Sequence, residues 1–384
     1  MLIFQIVYDN IMIKQTIANH LKNIPGWRTK RKIVVISVDD YGNVRLDSKK
    51  ARENMNKAGL KVNSRFDSLD TLETREDLEN LYEVLSSVKD KNGSHAIFTP
   101  FALPCNINFE AIAENGFQDY VYELLPETYK KLTEIDSNSY EGTWKLWNEG
   151  IEKGLMKPQF HGREHLNLKV FNEKLKQRDH EVITALKNRS YTSISNTGYS
   201  TISYTAAFEF DKFIENNDFE SIIKDGLKKF EEVYGYKSIH FNPPGGREHP
   251  VIHKYLKDNG VKYLDTQFIK HEHQGEGKWK KILNHTGKKN SLGMTYQVRN
   301  VVFEPTIKGR DWVNFSMKQI ETAFFWNKPA IISSHRVNFC GHIDPKNREI
   351  GLSALKELLQ KIVKKWPDVE FMSSVELGVL INKH

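Results

Sequence analysis

The chain has 384 residues, of which 39% are hydrophobic and 27% are charged, a composition typical of a globular protein and not of a disordered or fibrous one. Its two cysteines exclude a disulfide framework, and we interpret its net charge of +7 as lysines that solvate helices, so no nucleic-acid partner is predicted. The apolar stretches are too short for stable membrane insertion, and the first residues lack the features of a signal peptide, so the predicted location is cytoplasmic.

Residues 1–30 are predicted to form a helical extension that packs on the main domain. Their apolar side chains recur at the spacing of one helix face, and Pro25-Gly26 would end the helix. The residues that carry this pattern are Ile13, Ile17, Leu21 and Ile24.

From residue 31 to residue 384 a pattern of strand, loop and helix repeats. The run KIVVISV (32–38) is continuous and β-branched, as in a strand that is buried on both faces, whereas apolar residues at helical spacing over 352–366 indicate an amphipathic helix. The further predicted strands cover 95–100, 157–160, 238–242, 261–265, 330–334 and 369–373. Short strands that alternate with helices favour a parallel α/β fold, most simply a barrel.

The interval of about 270–310 interrupts this pattern. Its first part is rich in lysine, glycine, asparagine and histidine, and the segment TYQVRNVVFEP (295–305) then alternates between polar and apolar residues. Alternation is typical of a strand with one exposed face. We therefore predict a β-hairpin insertion in the barrel.

Reactive side chains follow the predicted strands at one and the same end. In a barrel of parallel strands this end is the active-site face, because the loops that leave it converge there. The residues are Asp39 and Asp40, His161, the turn Asn242-Pro243-Pro244-Gly245-Gly246, Asp265 and His335. Each has a purely structural interpretation when taken alone, and it is their common position that indicates a site.

Two imidazoles and one carboxylate hold Zn²⁺ or a similar divalent ion and leave a coordination position open. Asp40, His161 and His165 supply that set. Hydrolysis also requires a base for the attacking water and an acid for the leaving group. Asp39 is placed for the first role and His335 for the second, so the sequence predicts a metal-dependent hydrolase.

Residues of about 32–380 resemble the polysaccharide deacetylase family of metal-dependent carbohydrate esterases. The similar motifs are Ser37-Val38-Asp39-Asp40-Tyr41-Gly42, the His161-x-x-x-His165 pair, the turn at 242–246 and Ile331-Ile332-Ser333-Ser334-His335. An Asp-Asp pair followed by an aromatic residue and glycine also resembles the chitooligosaccharide deacetylases, which carry out the same class of reaction.

This resemblance implies a distorted (β/α) barrel of the polysaccharide deacetylase type, with seven parallel strands. It implies a substrate that is an acetylated amino sugar or glycan, from which an N- or O-acetyl group is removed. Asp39 would be the base, Asp40 and the two histidines would bind the metal, and Asp265 would tune His335. The predicted substrate-binding residues are Asn242, Pro244, Gly245 and Arg247.

One position departs from the family's pattern. The arginine of the third motif, which holds the catalytic base, is replaced by Asn242. Arg247 and Arg163 are the candidates to take over its role. If neither does, a barrel that binds carbohydrate without turnover is an alternative.

A second alternative is a zinc peptidase in which Glu164 of the H-x-x-E-H pattern acts as the base. Gly162 within the pattern and the strand before it argue against the helix that such a peptidase requires. Tryptophans are candidates for sugar-stacking platforms, although we interpret most of them as packing residues. They are Trp144, Trp147, Trp279 and Trp312.

Overall fold

In the computed structural model of the protein, residues 14–383 are described. The α-helices are α1 (residues 14–23), α2 (Lys49–Lys57), α3 (Arg65–Leu69), α4 (Arg75–Ser86), α5 (Phe109–Glu114), α6 (Leu125–Ile135), α7 (Ser137–Tyr140), α8 (Thr143–Glu152), α9 (Leu168–Lys176), α10 (His180–Lys187), α11 (Phe219–Tyr234), α12 (His253–Asp258), α13 (Trp312–Phe325), α14 (Pro345–Lys365) and α15 (Ser374–Asn382). The strands are β1 (Lys32–Tyr41), β2 (Phe98–Ala102), β3 (Cys105–Ile107), β4 (Tyr122–Leu124), β5 (Gln159–Phe160), β6 (His240–Phe241), β7 (Tyr263–Thr266), β8 (Ile269–His273), β9 (Trp279–Leu283), β10 (Thr295–Val298), β11 (Val301–Val302), β12 (Ala330–His335) and β13 (Val369–Met372).

A nine-stranded sheet in which neighbouring strands are parallel forms the centre of the fold. Its order is β10-β7-β6-β5-β2-β1-β12-β11, and β13 pairs with β1 beside this path. Each of the seven predicted strands is present in this sheet. They are found because their apolar runs are continuous, as β1 illustrates with Ile33–Ile36 fully buried.

The predicted position of the hairpin is wrong in its second half. Residues 295–302 are not a hairpin but form β10, parallel to β7, and β11, parallel to β12. The alternation in this segment is misleading because all four residues of β10 are buried. Its polar members are satisfied by α15, since Thr295 donates to Asn382 at 2.8 Å and Gln297 donates to the Ser374 carbonyl at 2.7 Å.

The segment that contains β10 and β11 also shows that the sheet curls. β1 and β10 are five places apart in the sheet order, so in a flat sheet they would lie about 24 Å from each other. Arg299, directly after β10, nevertheless lies 2.7 Å from Asp39 at the end of β1. One continuous segment thus bonds to both edges of the sheet, as in a barrel-like fold.

A shorter hairpin does project from the barrel. β8 and β9 form a two-stranded antiparallel sheet, with His273 opposite Trp279 at the turn end. A buried ion pair between Lys270 of β8 and Glu248 fixes the hairpin to the main domain, and His253 of α12 lies 3.2 Å from the same Glu248 carboxylate.

The predicted N-terminal helix is present as far as it is described. Residues 14–23 are helical, and the turn at Pro25-Gly26 follows them, whereas the expectation for residues 1–13 lies outside the described residues. His20 of α1 accepts a hydrogen bond from the Trp326 indole at 3.0 Å, which attaches the helix beside α13. None of the helices within residues 14–383 combines the length and the apolar character that are needed to cross a bilayer.

Candidate active site

β1 carries two consecutive aspartates, Asp39 and Asp40, whose carboxylates line one cleft. Successive side chains of a regular strand point to opposite faces, so Asp39 and Asp40 would ordinarily diverge. The pairing of β1 with β2 shifts register between Val38 and Tyr41, and Asp40 has a φ of 76°, in the left-handed region. Both carboxylates therefore line the same cavity, which measures about 460 Å³. Backbone strain of this kind concentrates at functional sites.

His161 directly follows β5, and His165 lies in the loop behind it. Residues 161–165 are not helical. Asp40 Oδ1 lies 3.4 Å from His161 Nε2 and 3.0 Å from His165 Nε2. The ligand atoms of these three residues lie within 4.8 Å of one another, and all three side chains are buried. The structure thus brings together the three residues that were predicted to bind a metal.

The hydrogen bonds around this group fit a cation. His161 Nδ1 lies 2.7 Å from the Asn242 carbonyl, which can only accept, so Nδ1 carries the proton and the Nε2 lone pair faces Asp40. Two electron-rich atoms facing each other repel unless a cation lies between them. His161 Nε2 and His165 Nδ1 are buried without a hydrogen-bond partner, and burial lowers the pKa of His165, which favours its neutral form. A buried set of two imidazoles and a carboxylate is a donor set that could hold a zinc-like ion.

An arginine that the sequence analysis did not identify holds Asp39. Arg299 donates from Nη2 to Asp39 Oδ1 at 2.7 Å and from Nη1 to Asp39 Oδ2 at 2.8 Å. Its Nε donates to Asp265 Oδ2 at 2.8 Å, so one guanidinium joins two carboxylates. The guanidinium carbon lies 5.0 Å from the centre of the Phe101 ring. This fork geometry fixes the orientation of the Asp39 carboxylate.

The arginines that were candidates for this role lie elsewhere. Arg247 donates to Glu209 at 2.6 Å, and Arg163 pairs with Glu164 and Asp225. Neither contacts Asp39, so these two candidates are wrong.

Asn242 also contacts Asp39, the carboxylate that the resemblance assigns to the arginine of the third motif. Its side-chain Nδ2 donates to Asp39 Oδ1 at 2.9 Å, and its backbone carbonyl accepts from His161 Nδ1. Asn242 thus connects the predicted base with a predicted ligand. Oδ1 of Asp39 thus accepts two hydrogen bonds, one from Asn242 and one from Arg299, whereas Oδ2 accepts one, from Arg299. A carboxylate oxygen has two lone pairs, so Oδ2 keeps one for another proton.

Asp265 does not make the contact that the resemblance implied. It lies against Arg299 and 3.6 Å from His240 Nε2, and not against His335. Burial by itself would raise the pKa of Asp265, but the Arg299 guanidinium lowers it below its ordinary value. Asp265 is therefore the second anchor of Arg299.

The carboxylate on His335 is Glu304, which follows β11. Glu304 Oε1 lies 2.6 Å from His335 Nδ1, and its other oxygen accepts from Asn338 at 2.8 Å and from Arg65. His335 Nε2 points back to Asp39 Oδ2, 3.9 Å away, and the Phe66 ring packs edge-on against the imidazole at 5.4 Å. Burial opposes the charged form, but the Glu304 carboxylate raises the pKa of His335 to about 9. His335 is thus held as a proton donor at neutral pH.

The predicted substrate-binding residues are divided between two cavities. Asn242 and Gly245 line the cleft that holds the two carboxylates. Pro244 is buried against Gly162 and does not line it, and Arg247 lines a neighbouring cavity.

Glu164 is not positioned to act as the base that the peptidase alternative requires. Both of its oxygens accept from Arg163, at 2.6 and 2.9 Å, and only 4% of the residue is exposed. With the loop around it not helical, the arrangement that the peptidase requires is not formed.

The sequence does contain a signal for Arg299 and Glu304. Each follows a short strand at the same end of the barrel as Asp39 and His335. Assigning residues 295–302 to the barrel would have placed both on the active-site face.

In sequence the chain matches no family model and no curated protein. Several solved structures have a similar fold. One is a 4-alpha-glucanotransferase from Thermococcus litoralis, at 11% identity and a TM-score of 0.44, with 90% of this chain covered but only 40% of the glucanotransferase.

Two others match over almost their whole length. A protein of Mycobacterium smegmatis described as a polysaccharide deacetylase is 11% identical, with a TM-score of 0.44 and coverage of 94% of this chain and 93% of that one. A family 4 acetyl xylan esterase from Clostridium thermocellum, solved with a cobalt ion, is 10% identical, with a TM-score of 0.35 and coverage of 91% of each chain. Because these TM-scores lie below 0.5, the function proposed below rests on the site and not on these similarities.

Proposed function

We propose that the protein is a metal-dependent hydrolase that removes an acyl group, most simply acetyl, from an amino sugar or another acylated glycan. The observation that carries this proposal is the arrangement of the cleft. A buried Asp-His-His group lies beside Asp39, and His335 Nε2 faces the one free lone pair of Asp39 from 3.9 Å. A proton acceptor, a proton donor and a cation site then surround one position, as acyl hydrolysis requires.

Asp40, His161 and His165 would hold the metal, with Zn²⁺ as the first candidate and other divalent transition metals as further ones. A divalent ion at this position supplies polarisation of the acyl carbonyl and a lowered pKa of water. Every other part of the reaction falls to the side chains. Arg299 and Asn242 orient Asp39 so that Oδ2 takes the proton of the attacking water.

His335 completes the reaction on the other side of the acyl carbon. As the water oxygen bonds to that carbon, the bond to the sugar nitrogen or oxygen breaks, and the leaving atom needs a proton. His335 Nε2 supplies it, because Glu304 on Nδ1 keeps the imidazole protonated. The products are acetate and the free amine or hydroxyl.

Removal of the metal is expected to abolish this activity. Acetate release from N-acetylglucosamine oligomers and acetylated xylan oligomers should fall to background after chelation and return when Zn²⁺ is added back. His161→Ala should bind Zn²⁺ more weakly by over about 100-fold, since even outer partners of ligands contribute 10–100-fold. His180→Ala, an exposed histidine far from the cleft, is the control. Full activity in the chelated protein would contradict the proposal.

Glu304→Gln should shift the pH profile. Loss of the carboxylate lowers the pKa of His335, and the proton donor is then lost at lower pH. We expect the alkaline limb of kcat, near pH 9 in the wild type, to move down by about one to two units. Glu83→Gln, on the surface, should leave the profile in place. An unshifted limb in Glu304→Gln would show that His335 is not the acid.

Glu164→Gln separates the deacetylase from the peptidase. Glu164 is in a buried ion pair, so we expect the free energy of unfolding to fall by about 1–3 kcal/mol while kcat stays within about threefold of the wild type. Thermal melting and acetate release measure the two effects. A loss of turnover in a folded Glu164→Gln protein, with Asp39→Asn fully active, would instead support the peptidase.

A further inference from the structure

A second cavity of about 460 Å³ opens beside the catalytic cleft. It is lined by Arg247, His271 and Trp279 together with Gly246 and Gln267, and the last two also line the cleft. The two cavities are therefore contiguous. A Cβ at position 246 would lie 3.0 Å from Gln267 Nε2, so glycine there leaves room for the Gln267 amide where the two cavities meet.

The β8–β9 hairpin supplies the outer wall of this second cavity. Trp279 is 44% exposed and is the one exposed tryptophan within residues 14–383. Its ring packs on His273, with centroids 4.7 Å apart and planes 33° apart, and His273 packs in the same way on Phe210 at 4.9 Å. This stack fixes the plane of the indole. The buried Lys270–Glu248 pair fixes the hairpin that carries it.

Polar groups complete the wall. Arg247 uses one guanidinium nitrogen on Glu209, and its side chain is 50% exposed, which leaves further N–H donors for a ligand. Since Glu209 already balances its charge, the cavity suits hydroxyl groups better than an anion. A fixed aromatic plane beside hydrogen-bond donors matches a pyranose, which has apolar C–H faces and a rim of hydroxyls.

We propose that this cavity is a subsite for a neutral sugar residue next to the acylated one, and hence that the substrate is an oligosaccharide. This inference rests on the proposed function for the position of the acylated residue. The Trp279 indole stacks on the sugar ring, and Arg247 and Gln267 contact its hydroxyls.

The test is binding by calorimetry to the metal-free chain, with triacetylchitotriose and acetylated xylotriose as probes. At least one trisaccharide should bind the wild type. The same trisaccharide should bind about tenfold more weakly to Trp279→Ala and with nearly wild-type affinity to Trp279→Phe. Leu283→Ala, exposed on the same strand and outside the cavity, is the matched control and should bind as the wild type does. Equal affinity in the wild type and Trp279→Ala, or no binding of either trisaccharide to the wild type, would overturn the subsite.

Acetate release measured on the same zinc-loaded proteins separates the two proposals. Binding that depends on Trp279 without any acetate release means that the proposed function fails and the subsite stands. If acetate is released from a trisaccharide whose binding affinity is the same for the wild type and Trp279→Ala, the proposed function stands and the subsite fails.

Discussion

Arg299→Lys is expected to lower kcat by about 100-fold while the protein stays folded and keeps its zinc, because a displacement of about 1 Å in a catalytic group costs this much. Arg299 bonds to both oxygens of Asp39 and to Asp265 at once. A lysine ammonium keeps the charge but is a point donor, so it cannot bridge both carboxylates in a fixed plane. The carboxylate that should take the proton of water then rotates away.

The measurement is kcat and KM for acetate release, with zinc content determined on the same samples. KM should change little because the Arg299 guanidinium, although it lines the cleft, is engaged by Asp39 and Asp265. Arg163→Lys is the matched control, since Arg163 was also a candidate from the sequence but pairs with Glu164 and Asp225. Wild-type kcat in Arg299→Lys would mean that the fork does not orient the base.

The presence of Arg299 also bears on the alternative of a barrel without turnover. That alternative depended on the loss of an arginine at position 242. Arg299 reaches the same carboxylate from β10, and Asn242 adds a hydrogen bond at 2.9 Å. Asp39 therefore does have an arginine partner, and the reason for that alternative no longer applies.

Most of the strands could be predicted from the sequence because parallel strands buried on both faces are continuous apolar runs. β10 escaped the prediction because its threonine and glutamine are buried and bonded to α15, a contact that no local pattern reveals. The segment is also divided at Arg299-Asn300 into two short strands, β10 and β11, which are harder to predict than one long strand.

The group that could bind a metal was predictable because its residues lie in two short motifs, Asp39-Asp40 and the pair His161 and His165. Residues that act through them were not. Arg299 and Glu304 lie 260 and 31 residues from the side chains that they contact, Asp39 and His335, and nothing near them in sequence marks those partners. Only the curl of the sheet brings them together.

The effect of Asp39→Asn should be larger than that of Arg299→Lys. Asparagine has the shape of aspartate but cannot take a proton from water, and removal of a general base costs up to about 10⁴-fold. Asp39 lies outside the group that would hold the metal, so zinc should stay bound. Thermal melting will show how much stability is lost when Asp265 is the one carboxylate that still pairs with Arg299.

The most direct test of the proposed mechanism is acetate release and zinc content measured together on Asp39→Asn. We expect a folded protein that holds about as much zinc as the wild type and releases acetate about 10⁴-fold more slowly. Wild-type acetate release by this zinc-loaded variant would contradict the assignment of Asp39 as the base and the mechanism built on it.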